Sequence, residues 1–200
     1  MSKKIKKQST FIDMTAMSDV TVLLLCFFML TSTFIQKEPV KVNPPMSVSE
    51  IKILESNVVS IMIERDGKVF MSLDKPQDRM EVLRMMGENY QVDFTEDEIK
   101  KFSLNPSFGV NIHVMKQFLA LSPERQDEII LDHGIPCDST DNQFKSWVQF
   151  SKLTNKDLTI AIKADAGTPY PIIKDIMNTL QALREQRYNL ITSLRDMPAI

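Results

Sequence analysis

Between Met14 and Gln36 the chain carries one charged residue, Asp19, and no lysine or arginine. A carboxylate inside an apolar run is the residue whose type and setting could do chemistry. Placing an Asp at the centre of a membrane helix costs about 2.5–3.5 kcal/mol, and somewhat less off-centre. The side chain is too short to reach the interface as lysine does, so it must face another helix or a watery cavity. A medium of low dielectric favours the neutral acid over its anion. Such a group can take a proton from one side and release it to the other, and each charge crossing 100 mV supplies about 2.3 kcal/mol. The chemistry expected of Asp19 is proton carriage. The alternative is an Asp that only holds an oligomer together.

The element that must position it is a helix. Thr15, Asp19, Cys26 and Thr33 follow at steps of four, seven and seven, which puts them on one face. Leu24, Leu25, Phe27 and Phe28 cover the rest. A polar stripe bearing a carboxylate marks a helix–helix interface. Unbroken apolar character covers only Val22–Leu30. The whole charge-poor run is nevertheless long enough to cross a core of ~30 Å at ~1.5 Å per residue. We expect a transmembrane helix over 12–35, preceded by a basic tail over 1–11 that holds Lys3, Lys4, Lys6 and Lys7. Lysines are retained on the cytoplasmic side. Everything after about residue 36 would then lie in the periplasm of a bacterium. The competing reading is a cleavable signal peptide, which predicts a mature protein beginning after about residue 33.

The stretch "FIDMTAMSDVTVLLLCFFMLTSTF" resembles the N-terminal segment of the ExbD/TolR family of biopolymer transport proteins. The family pattern is an Asn or Asp, a hydrophobic residue, Thr and Pro, then an Asp about four residues on. Here those positions are Asp13, Met14, Thr15, Ala16 and Asp19, with Ala16 in place of the usual Pro. The stretch "LTIAIKADAGTPYPIIKDIMNTLQALREQRYNLITSL" is similar to the family's strand, Ala-Asp loop, Tyr-led helix and closing strand. Asp165 and Tyr170 hold the recurring loop positions, where they are expected to end a strand and begin a helix. "PVKVNPP", residues 39–45, is similar to the segment after the membrane, with Asn43 where Asp is common and Pro44 where Leu is common.

The resemblance implies an inner-membrane stator subunit of a proton-driven motor. It implies a homodimer inside a ring of a polytopic ExbB/TolQ-like protein, with Asp19 in the proton relay. It also implies a periplasmic domain that passes work to a TonB- or TolA-like protein, with Val40, Lys41, Val42, Asn43 and Pro44 as the partner-binding segment. "VKVNPP" inclines the reading to the TonB branch.

Beyond the helix, residues 36–57 contain three prolines and no glycine. They read as an extended, semi-rigid linker with exposed backbone, serving as a plain spacer or transmitting force. Residues 58–200 read as an α+β domain. Val59, Ile61 and Ile63, then Val69, Met71 and Leu73, alternate around an Asp66-Gly67 turn. A helix starts at Pro76. Leu158, Ile160 and Ile162 form another strand, Ile172, Ile173, Ile176, Met177, Leu180 and Leu183 a helix, and Leu190, Thr192 and Leu194 a last strand. One sheet face is expected under helices. Residues 90–152, longer than the family norm, read as a helical insertion. Thr95 with Glu98 is a capping box. Met115, Phe118 and Leu119 recur at helical spacing, and Ser122-Pro123 opens a helix ended by Gly134. Phe144, Trp147 and Val148 form a third stripe, with Trp147 in the core.

Other chemistry lacks residues. His113 and His133 are the only histidines, and neither joins a cysteine in a metal-ligand cluster. There is no GxxxxGK[ST], GxGxxG or GxSxG, and only five glycines. We therefore expect no enzyme activity and no cofactor. A net charge of -2 gives no reason to expect nucleic acid. Cys26 and Cys137 are too few for a disulfide framework. Cys137 is expected to be a buried, inert thiol, the alternative being an intermolecular disulfide. The rival functional class is a passive single-span anchor whose domain binds peptidoglycan or envelope partners without proton coupling.

Overall fold

The computed structural model describes residues 14–32, 42–47, 57–138, 141–185 and 187–194. The chain divides into two compact units, Met1–Gln36 and Lys37–Ile200. The first unit contains helix α1 (Met14–Thr31). Its 18 residues rise about 27 Å, slightly less than a hydrocarbon core of ~30 Å. The remaining residues of the expected 12–35 span, Thr33 among them, lie outside the described residues. Among the described residues no helix is long and apolar enough to cross a membrane.

The second unit opens with β1 (Met46–Ser47) and then the hairpin β2 (Val58–Ile63) and β3 (Val69–Leu73). Gly67 in the hairpin turn has φ +86°, a conformation that glycine adopts without strain. Helix α2 (Pro76–Tyr90) begins at the expected proline, whose missing N–H costs nothing at a first helical position. The insertion then supplies α3 (Glu96–Leu104), β4 (Ser107–Phe108), α4 (Met115–Ala120), α5 (Pro123–Asp132) and α6 (Gln143–Thr154). The capping box of α3 is formed: Thr95 Oγ1 accepts the Glu98 N–H at 3.4 Å, and Glu98 Oε2 accepts the Thr95 N–H at 2.8 Å. The chain closes with β5 (Thr159–Ala164), α7 (Tyr170–Ala182), β6 (Tyr188–Leu190) and β7 (Ser193–Leu194).

The main sheet has the order β4-β3-β2-β5-β6. β2 pairs antiparallel with β3 and parallel with β5, and β5 pairs parallel with β6. Parallel neighbours need a crossover, which α7 supplies between β5 and β6. Directly paired residues share a face. Val59, Ile61 and Ile63 therefore share one with Val69, Met71, Leu73, Phe108, Ile160 and Ile162. Helices cover this face. Phe108 packs on Phe102 of α3 and Trp147 of α6, at ring separations of 5.0 and 4.5 Å. Trp147 is fully buried, as the spacing predicts.

Three expectations need correction. The linker is not exposed throughout: Met46–Ser47 pairs parallel with Ser193–Leu194, because Met46 and Ser47 regain the backbone donors that Pro44 and Pro45 lack. The last strand is not continuous. β6 stays with β5, the Ile191 N–H still reaches the Ile162 carbonyl at 2.8 Å, and β7 leaves to pair with β1. The insertion is not purely helical, since β4 extends the sheet beyond β3.

Candidate functional site

In α1, Thr15, Asp19 and Cys26 fall within an arc of about 40° at 3.6 residues per turn. All three are exposed, as are Leu24, Leu25, Phe27 and Phe28 on the remaining surface. Two hydroxyls of α1 are bonded within the helix. Thr21 Oγ1 donates to the Met17 carbonyl at 2.7 Å, and Thr31 Oγ1 to the Phe27 carbonyl at 2.8 Å. Asp19 is the one charged side chain of α1.

In the second unit, Asp165 and Tyr170 lie where β5 gives way to α7. Asp165 ends the strand, its N–H donating to the Ile63 carbonyl at 3.0 Å. Its Oδ1 accepts the Gly167 N–H at 2.8 Å, and its Oδ2 accepts the Asn43 N–H at 3.2 Å. The Ala166 N–H returns a bond to the Asn43 carbonyl at 3.0 Å. Asp165 is thus a clasp for residues 42–47 as well as a strand end. The sequence reading missed this second role. The Asp-Ala-Gly spacing signals only the local bond to Gly167, since it suits a side chain that folds back on its own loop. Tyr170 begins α7 and is 70% exposed. It lines a cavity of about 300 Å³ with Pro45, Ile162, Ile173, Tyr188 and Leu190.

Of the segment expected to bind a partner, Val42 packs on the core and Asn43 is held by Asp165. Pro44 is half-buried, and Val40 and Lys41 lie outside the described residues. Removing the clasp by Asp165→Ala is expected to cost roughly 1–2 kcal/mol, a partly exposed carboxylate contributing below the usual range for charged hydrogen bonds. Hydrogen exchange would check it: the amides of Asn43 and Gly167 should exchange faster while those of β2 stay protected.

Cys137 offers no reactive thiol. It is half-buried, its Sγ lies 3.2 Å from the Ile135 carbonyl, and burial, with the neighbouring Asp138 charge, pushes it up to about 12. At pH 8 its alkylation in the folded chain should be far slower than after unfolding. The raised value also has a sign for stability. Above the ordinary value of 9.0 the unfolded thiol loses its proton while the folded one keeps it, so the unfolded state binds fewer protons. Stability should fall as pH rises from about 9 to about 12, and Cys137→Ser should remove that part of the slope. Both cysteines are free. Among the described residues no group of three or more His, Cys, Asp or Glu could hold a metal ion.

The described residues thus comprise a helix that carries one carboxylate and a mixed α/β domain. Residues 6–195 match the family described as biopolymer transport protein ExbD/TolR, nearly the entire length, and the chain belongs to that family. Searches of curated proteins and of solved structures gave no match. The family is one of transport components that work with partner proteins.

Proposed function

We propose that this chain is the inner-membrane subunit of a proton-driven motor. In this reading the segment around α1 crosses the membrane with its N-terminus in the cytoplasm. Two copies stand inside a ring of a polytopic ExbB/TolQ-like protein. Asp19 carries the proton, and Thr15, Cys26 and Thr33 share the face that meets the ring. The observation that carries the reading is Asp19 itself, the one charged residue of α1, in a chain of this family.

The C-terminal domain then lies in the periplasm and passes work to a TonB-type, or alternatively a Tol-type, protein that reaches the outer membrane. Val40, Lys41, Val42, Asn43 and Pro44 form the partner-binding segment. The bonds between Asn43 and the Asp165 loop support a mechanical role, because tension on this segment reaches β5 through backbone and carboxylate contacts. Purifying the full chain from native membranes in mild detergent tests the assembly. A large polytopic subunit and a periplasm-spanning protein should accompany it. A chain recovered alone, or only with cell wall, would overturn the reading.

A further inference from the structure

The insertion has no part in the motor reading, yet it occupies a defined place. One edge of the hairpin sheet would be β3, and the insertion closes it at three points. Met71 and Ser72 pair antiparallel with Phe108 and Ser107. The Ile135 N–H donates to the Val69 carbonyl at 2.8 Å. Ser72 Oγ donates to the Pro106 carbonyl at 2.8 Å.

These contacts are braced from both faces of the sheet. On the helix-covered face Phe108 is held by Phe102 and Trp147. On the other face the chain passes so close to Phe70 that a Cβ on Gly109 would overlap its ring. Arg79 of α2, 2% exposed, donates to the Asn105 carbonyl at 2.6 Å and fixes the approach to β4. The strand added is only two residues long. An open edge is a template for pairing with another chain, and very short edge strands are one of the ways in which proteins blunt it.

We propose that the insertion is an edge seal. It denies β3 to the same strand of a second copy of this chain, and so confines strand addition to the β6 side of the sheet. Among the described residues β1 and β7 pair in a separate two-stranded sheet and leave β6 as the other edge of the main sheet. The seal does not depend on whether Asp19 carries protons.

Two measurements on the full chain in detergent test it. In the native chain the Met71 amide should exchange within about tenfold of the Ile61 amide of the central strand. Exchange at the rate of an exposed loop would overturn the proposal. For the second, Cys26→Ser and Cys137→Ser provide a background in which Ser72→Cys reports edge-to-edge approach; it removes the bond to Pro106 equally from both chains compared and leaves the β4 pairing and the Ile135 bond in place. Opposed residues of an antiparallel pair have Cβ atoms about 4.5–5.5 Å apart, close enough for a disulfide with small shifts. The oxidised dimer should be scarce with Gly109 in place and about tenfold or more enriched when Gly109→Val lifts β4. Equal cross-linking in the two chains, or none in a folded Gly109→Val chain whose Met71 amide has become exposed, would overturn the seal. If Gly109→Val does not fold, the native exchange rates decide.

Discussion

A chain bearing Asp19→Asn is expected to insert and assemble normally while outer-membrane transport falls to the level of cells lacking the protein. Asparagine has nearly the same shape and still hydrogen-bonds, so a carboxylate that only held helices together would be largely replaced by it. It cannot release and regain a proton. A charge crossing 100 mV is worth about 2.3 kcal/mol, and in the proposed motor that work enters the chain through a titrating group on the helix. The measurement is energy-dependent uptake across the outer membrane in cells, with co-purification of the polytopic subunit as the assembly control. Ser18→Ala is the specificity control, since Ser18 lies about 100° from Asp19 around the helix and should leave uptake unchanged. Full uptake in the Asp19→Asn chain, or loss of the protein from the membrane, would remove Asp19 from the mechanism. Full uptake would also favour the passive anchor.

How far the fold could be read in advance depended on how local each signal was. The hairpin around Gly67, the starts of α2 and α5 at Pro76 and Pro123, and the Thr95–Glu98 box were legible because a few adjacent residues decide them. The stripe Phe144, Trp147, Val148 gave a buried helix face for the same reason. β4 was not legible. Ser107 and Phe108 carry no alternation, and they are a strand only because the β3 edge lies beside them. The break between β6 and β7 was hidden in Leu190, Thr192 and Leu194, whose spacing fits one strand. Pairing with Met46–Ser47, far away in the sequence, decides otherwise. In the candidate site, the placement of Thr15, Asp19 and Cys26 on one helix face was legible because helical periodicity alone sets it. The second role of Asp165 was not, because its partner Asn43 is 122 residues away and offers only a backbone N–H.

Trp147→Ala should be the most destabilising single change in the domain, at about 3–5 kcal/mol. Trp147 is the only tryptophan, fully buried, with Phe102 stacked at 5.9 Å and Phe108 at 4.5 Å. Alanine would leave a void among side chains held on two sides by helices, where collapse is limited. Domains are usually stable by about 5–15 kcal/mol, so about a fifth or more of the total would go. Melting should drop by roughly 6–20 °C at about 2–4 °C per kcal/mol for a domain of this size. Trp147→Phe should cost much less. The indole Nε1 is buried without a hydrogen-bond partner among the described residues, and phenylalanine removes that unsatisfied donor while keeping an aromatic ring in the cluster. Far-UV circular dichroism against denaturant, on the full chain in detergent, separates the two variants without relying on the lost fluorophore. The ordering also bears on the edge seal, since this cluster holds Phe108, which pairs with Met71. Trp147→Ala should expose the Met71 amide well before the chain unfolds, and Trp147→Phe should not. A loss below about 1 kcal/mol for Trp147→Ala, against the usual range for buried aromatics, would mean that the insertion packs loosely. It would then be too weakly held to seal the β3 edge.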